Sequence, residues 1–156
     1  AVGLLRAGGA VNFLLPLLPD LGLTPAAVAG GVSGDLSLLS ALINGQLSQA
    51  YAQLMGSPEF QGTSVVVFDT ATAQQNELLA FAAAGGNVTD PCPTAFDPTP
   101  QCGNYFFWDP LHPSAAAHAL LAADALAAAA GAVPEPGTLA LAGAALLFSL
   151  RRRRPA

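Results

Sequence analysis

Basic side chains are nearly missing from the body of this chain. Its 156 residues carry five arginines or lysines against ten acidic residues, and four of the five form the terminal run Arg151–Arg154. That leaves Arg6 as the only cation facing the carboxylates. Such a body repels phosphate rather than releasing counterions from it, which sets nucleic acid aside as a partner. No Gly-rich phosphate loop and no basic patch interleaved with aromatics is present either. Charge of either sign is scarce, at 10% of residues, where soluble domains average about 25%. Hydrophobic residues reach 53%, but many are alanines, which favour helix and bury little area. The length suits one domain or part of one.

Cysteine is also scarce, with two residues, Cys92 and Cys102, inside the stretch 87–113. That stretch is rich in Pro, Asp, Thr and Asn, lacks periodicity, and is expected to be a long loop of the kind that is uncommon unless functional. A disulfide is the expected pairing, restricting the unfolded loop by on the order of 2–3 kcal/mol and implying an oxidising compartment. Two free thiols are the alternative. A zinc site from Cys92, Cys102 and His112 fits no common ligand spacing, and neither metal nor cofactor is expected.

Elsewhere the pattern alternates. Residues 10–15 form a short apolar run before Pro16, expected as a buried strand. Over 35–55, Leu36, Leu39, Leu42, Ile43, Leu47 and Leu54 recur at helical spacing and predict one apolar face. Ser64–Phe68 is a β-branched and aromatic run suited to a parallel strand buried on both faces. Residues 71–83 predict a helix stopped by Gly85-Gly86, and 114–130 another, with Ser114 near its start. The order implies an α/β fold with right-handed crossovers, a parallel sheet and three α/β/α layers. Ligand sites in such sheets lie beyond the carboxyl ends of the strands.

The chemistry concentrates in Tyr105-Phe106-Phe107-Trp108-Asp109-Pro110-Leu111-His112-Pro113-Ser114. A carboxylate stands three residues before an imidazole, on a turn just ahead of a helix. Residues so spaced across a tight bend can project to one side. A serine hydrolase needs that pair: the imidazole takes the hydroxyl proton, and the carboxylate fixes its tautomer and stabilises the imidazolium.

Phe-Trp-Asp-x-x-His-Pro-Ser-x-Ala-Ala-His resembles the last block of the GDSL-type, or SGNH, esterases and lipases. The stretch Asn12–Pro25, with Pro19-Asp20-Leu21-Gly22-Leu23-Thr24-Pro25, resembles the family's strand and following loop; Val65–Asp69 resembles the next strand, and Asn87–Cys92 the cysteine-bearing loop. The resemblance covers about residues 1–130 and implies an SGNH hydrolase-like fold, with Asp109 as orienting acid and His112 as general base. His118 falls where many members also have a histidine, but no catalytic role goes with it. The Gly-Asp-Ser-Leu block with the nucleophile, and the Gly and Asn blocks of the oxyanion hole, have no counterpart here. Ser33-Gly34-Asp35-Leu36-Ser37 holds the letters of that motif in scrambled order, after the Pro25 loop. Ser33 or Asp35 is expected to cap the helix beginning there, and neither Ser33 nor Ser37 is expected to act as nucleophile. Residues 1–132 therefore predict the C-terminal portion of a hydrolase domain whose Ser lies upstream.

The tail adds a second signal. Val133-Pro134-Glu135-Pro136-Gly137-Thr138 precedes an apolar run, Leu139–Leu150, and then Arg151–Arg154. Motif, hydrophobic segment and positive stop closely resemble the PEP-CTERM sorting signal of Gram-negative bacteria, with Pro134, Glu135 and Pro136 as its core. The resemblance implies an exosortase-type processing enzyme as partner. The run 139–150, expected as a membrane helix, spans about 18 Å at 1.5 Å per residue, against a hydrocarbon core of roughly 30 Å. Flanking residues and snorkelling arginines would close part of the gap. The arginines should stay cytoplasmic and the domain outside, first anchored in the inner membrane, then at the cell surface or beyond. The expected activity is hydrolysis of carboxylic or lipid esters. A non-enzymatic surface-anchored binding or biofilm-matrix protein on a hydrolase-like fold is the alternative, separated by whether a Gly-Asp-Ser block precedes Ala1.

Overall fold

The computed structural model describes residues 2–132. A short helix, α1 (Val2–Ala7), leads into strand β1 (Asn12–Pro16). A 3-10 turn (Leu21–Leu23) and helix α2 (Pro25–Ala29) form a corner ahead of the long helix α3 (Ser33–Gly56). Strand β2 (Ser64–Phe68) and helix α4 (Thr70–Ala83) follow, then strands β3 (Asn87–Pro91) and β4 (Tyr105–Phe107) and helix α5 (Ala115–Ala132). β1 and β2 pair in parallel, with Phe13 opposite Val65 and Leu15 opposite Val67.

The long spans fall close to expectation, and the stops have local causes. Asp69 accepts from Thr72 N and so starts α4. The expected stop at Gly85 is a Schellman closure: Gly85 has φ +84°, and Gly86 N donates to Phe81 O at 2.9 Å.

Four expectations are corrected, two of them concerning the strands. First, 87–113 is not all loop, because β3 and β4 lie within it and pair in parallel. Each is too short for periodicity to register, and β3 (Asn-Val-Thr-Asp-Pro) has Val88 as its single aliphatic side chain. The described residues thus hold two small two-stranded parallel sheets in a mixed α/β arrangement. Second, β2 is half-buried rather than buried on both faces, with Val67 exposed. Third, α3 buries the expected face only in part: Leu36, Ile43, Leu47 and Leu54 are half-buried. Leu39 and Leu42 are 46% and 59% exposed, whereas Ser40 is 2% exposed. The Ser40 hydroxyl accepts from Leu21 N at 3.1 Å, and Asn44 exchanges two hydrogen bonds with the Leu18 backbone at 2.7 and 2.9 Å. These polar side chains share the inward side with the leucines, because desolvated N–H and C=O groups need partners. Fourth, neither Ser33 nor Asp35 caps α3. Its N-cap is Val32, without a side-chain cap bond, because the chain enters directly from the closure of α2.

Two apolar clusters tie the helices to the strands. Phe13, Leu15 and Phe60 pack with Tyr51 and Leu54 of α3, and the Phe13 and Phe60 rings lie 5.6 Å apart. Phe106 and Phe107 pack on Ala117 of α5 and on Leu78 and Phe81 of α4, all three buried residues being fully inaccessible. The corner at Leu21–Leu23 lies hard against α3. A Cβ on Gly22 would overlap Ser33 O and the Ser37 side chain, and backbone cannot yield cheaply. Gly22→Ala is therefore expected to lower unfolding free energy by more than about 1 kcal/mol in chemical denaturation.

The expected membrane helix 139–150, the motif Pro134–Pro136 and the arginine run lie outside the described residues. Among the described residues, no helix is long and apolar enough to cross a membrane.

Candidate active site

β4 delivers the chain into a turn that is tied at several points. Ser114 N donates to Phe106 O at 2.8 Å, Trp108 N donates to His112 O at 2.8 Å, and Phe107 bridges Pro113. Ser114, 1% exposed, then turns its hydroxyl onto Ala117 N at 3.3 Å and starts α5. Six residues between two anchored points leave little freedom for the side chains they carry.

Within this turn Asp109 and His112 meet. His112 Nδ1 lies 2.8 Å from Asp109 Oδ2. The other carboxylate oxygen, Oδ1, accepts from Leu111 N at 2.8 Å and His112 N at 2.7 Å. Burial works to raise the Asp109 pKa, but the two backbone donors, the imidazole bond and its charge outweigh it, and the carboxyl sits below its ordinary value. Asp109 is thus an anion that can only accept, so the proton between the groups belongs to Nδ1. In the neutral ring, Nε2 then carries the lone pair. The imidazole is 66% exposed and Asp109 20%, and Nε2 meets no protein partner among the described residues. An oriented imidazole with a free, unprotonated nitrogen can take a proton from a hydroxyl brought to it.

Beside the turn lies a cavity of about 540 Å³. Pro16 and Phe68, the last residues of β1 and β2, line it together with Leu111, Pro113 and Leu121. It therefore sits at the carboxyl ends of the strands, next to the acid–base pair. His118 also borders it but is exposed on α5 and meets neither Asp109 nor His112. Among the described residues, no cluster of His, Cys, Asp or Glu could hold a metal ion.

The other singled-out residues lie apart from the pair. Cys92 and Cys102 are joined by a disulfide, their Cα atoms 5.5 Å apart, and pack with Ala95, Tyr105 and Trp108. The cross-link thus buttresses the residue just before Asp109. Ser37 donates to Asp20 Oδ1 at 2.7 Å, which occupies its hydroxyl in fixing the Leu21–Leu23 turn. Sequence reasoning missed the role of that turn. Ala26 N donates to Pro110 O at 2.9 Å, so the corner after β1 holds the middle of the acid–base turn. The signal was the loop Pro19–Pro25, whose Thr24-Pro25 pair is a helix start.

Comparison with protein families decides the affiliation. The model of the GDSL-like lipase/acylhydrolase matches residues 2–125. This chain belongs to that family. A second model, the PEP-CTERM protein-sorting motif, matches residues 132–154, which marks the chain for export and sorting to the cell surface. No curated protein matches the chain.

Proposed function

We propose that Asp109 and His112 form the acid–base arm of a serine ester hydrolase acting on carboxylic or lipid esters. The observation that carries this reading is the 2.8 Å contact of Nδ1 with Oδ2, which leaves Nε2 open to solvent. Nε2 removes the proton of a serine hydroxyl as its oxygen attacks the ester carbonyl. It then returns that proton to the departing alkoxide, and the cycle repeats with water to release the acid. Asp109 holds the ring in the required tautomer and balances the imidazolium charge. The serine and the oxyanion donors are supplied by polypeptide upstream of Ala1. Residues 1–132 are then the hydrolase portion, within a three-layer α/β/α architecture of the SGNH type. Residues 133–156 are the sorting tail, read by an exosortase-type enzyme at Pro134, Glu135 and Pro136. The segment 139–150 sits in the inner membrane before processing, with the arginines inside.

On this reading, purified residues 1–132 release no p-nitrophenol from p-nitrophenyl esters above the uncatalysed rate. Hydrolysis by these residues that disappears in Ser33→Ala would place the nucleophile within them and overturn the assignment of an upstream serine.

A further inference from the structure

We infer that Thr24 is a positioning residue for the Asp109–His112 pair, an inference that rests on the acid–base role just proposed. The route runs through one peptide plane. The carbonyl of Pro110 and the N–H of Leu111 are opposite ends of the same rigid unit. The Leu111 N–H donates to Asp109 Oδ1 at 2.8 Å, while the Pro110 carbonyl accepts from Ala26 N at 2.9 Å. Whatever holds Ala26 N–H in place therefore sets the tilt of the peptide that orients the carboxylate, and through it the imidazole.

Thr24 holds it. Pro25 opens α2 without an N–H to offer, so Ala26 and Ala27 carry the first donors of that helix. Ala27 N is taken by Thr24 Oγ1 at 3.3 Å, leaving Ala26 N for Pro110. The same hydroxyl donates to Leu21 O at 2.7 Å, tying α2 to the Leu21–Leu23 turn. That turn is fixed to the helices behind it, with Leu21 N on Ser40 Oγ at 3.1 Å and Asp20 N on Gln74 Oε1 at 2.8 Å. Thr24, Ser40 and Gln74 are 3%, 2% and 3% exposed. Thr24 is thus a buried joint between a corner anchored on α3 and α4 and the turn that carries the acid and base. Thr24→Val keeps the shape and removes the hydroxyl, leaving Ala27 N unpaired and Leu21 O with only the backbone N–H of residue 24.

The test is NMR on the full 156-residue chain, with ¹⁵N-labelled histidine and amide exchange read residue by residue. In the unaltered chain, Ala26 and Leu111 amides are expected to be protected and His112 to show a single Nδ1-protonated tautomer. In Thr24→Val, those two amides should exchange about tenfold faster or more, and the His112 ring nitrogens should average toward a tautomer mixture. Thr24→Ser, which restores the hydroxyl, should return both signals. The inference is overturned if Ala26 exchanges freely in the unaltered chain, or if Thr24→Val leaves Leu111 and His112 unchanged. It is equally overturned if exchange accelerates uniformly through α3 and α4, which marks Thr24 as a general support. No turnover is measured, so such a failure leaves the ester-hydrolase reading standing; loss of that reading would not alter the exchange pattern.

Discussion

Replacing His112 by alanine in the protein complete with its nucleophile is expected to reduce kcat/KM by on the order of 10⁴-fold or more. On the proposed reading His112 is the group that takes the hydroxyl proton. Asp109→Asn should cost a similar factor for a different reason. An asparagine can still accept from Leu111 N and His112 N through its carbonyl, so the turn survives. Its amide, however, now donates to Nδ1, which moves the ring proton to Nε2, where a lone pair is needed. His118→Ala should leave kcat/KM near its original value, because His118 stands apart from the pair on α5. Steady-state rates on a soluble ester separate these outcomes. A His112→Ala protein that keeps most of its activity would remove the acid–base assignment.

The second large effect concerns stability. Glu77 of α4 is 5% exposed, and both of its carboxylate oxygens are buried without a hydrogen-bond partner. Burial, and then the charge of Asp124 across the seam with α5, push its pKa up to about 7. In the unfolded chain the group titrates near 4.5, so between the two values the folded protein binds more protons than the unfolded one. Stability must then fall as pH rises through that window. The contribution is fully present below about pH 4.5 and lost above about pH 7, a swing on the order of 2 kcal/mol once partial solvation of the seam is allowed for. Glu77→Gln, which cannot ionise, should flatten that slope and be the more stable protein at pH 8. Urea unfolding at pH 5 and pH 8 measures it, and parallel slopes for the two proteins would show that Glu77 does not titrate in this window.

Much of the architecture was legible where physical chemistry is local. The run Ser64–Phe68 could hardly be anything but a strand, and Gly85 supplied the left-handed residue that α4 needs to stop. The Asp109–His112 pair was legible for the same reason, since three residues and one bend contain the whole geometry. What depended on distant partners was not legible. Leu36, Ile43, Leu47 and Leu54 marked the inward side of α3, but the bonds of Ser40 and Asn44 to backbone some twenty residues away leave no trace in leucine spacing. Nor could β3 and β4 be read, since Asn87–Pro91 offers no alternation and gains its strand character only from pairing with Tyr105–Phe107. The bond from Ala26 to Pro110 is of the same kind, because a helix start in one motif block finds its acceptor in another.

The disulfide has one more consequence. The chain has a single tryptophan, and Trp108 packs against Cys92 and Cys102, with the exposed Phe96 of the cross-linked loop edge-on to it at 6.3 Å. A disulfide is an efficient quencher of an adjacent indole. The indole of this chain therefore stands one residue from Asp109 beside a sulfur bridge. Opening of the bridge is therefore expected to raise its emission, at the very place where the chemistry is proposed to occur.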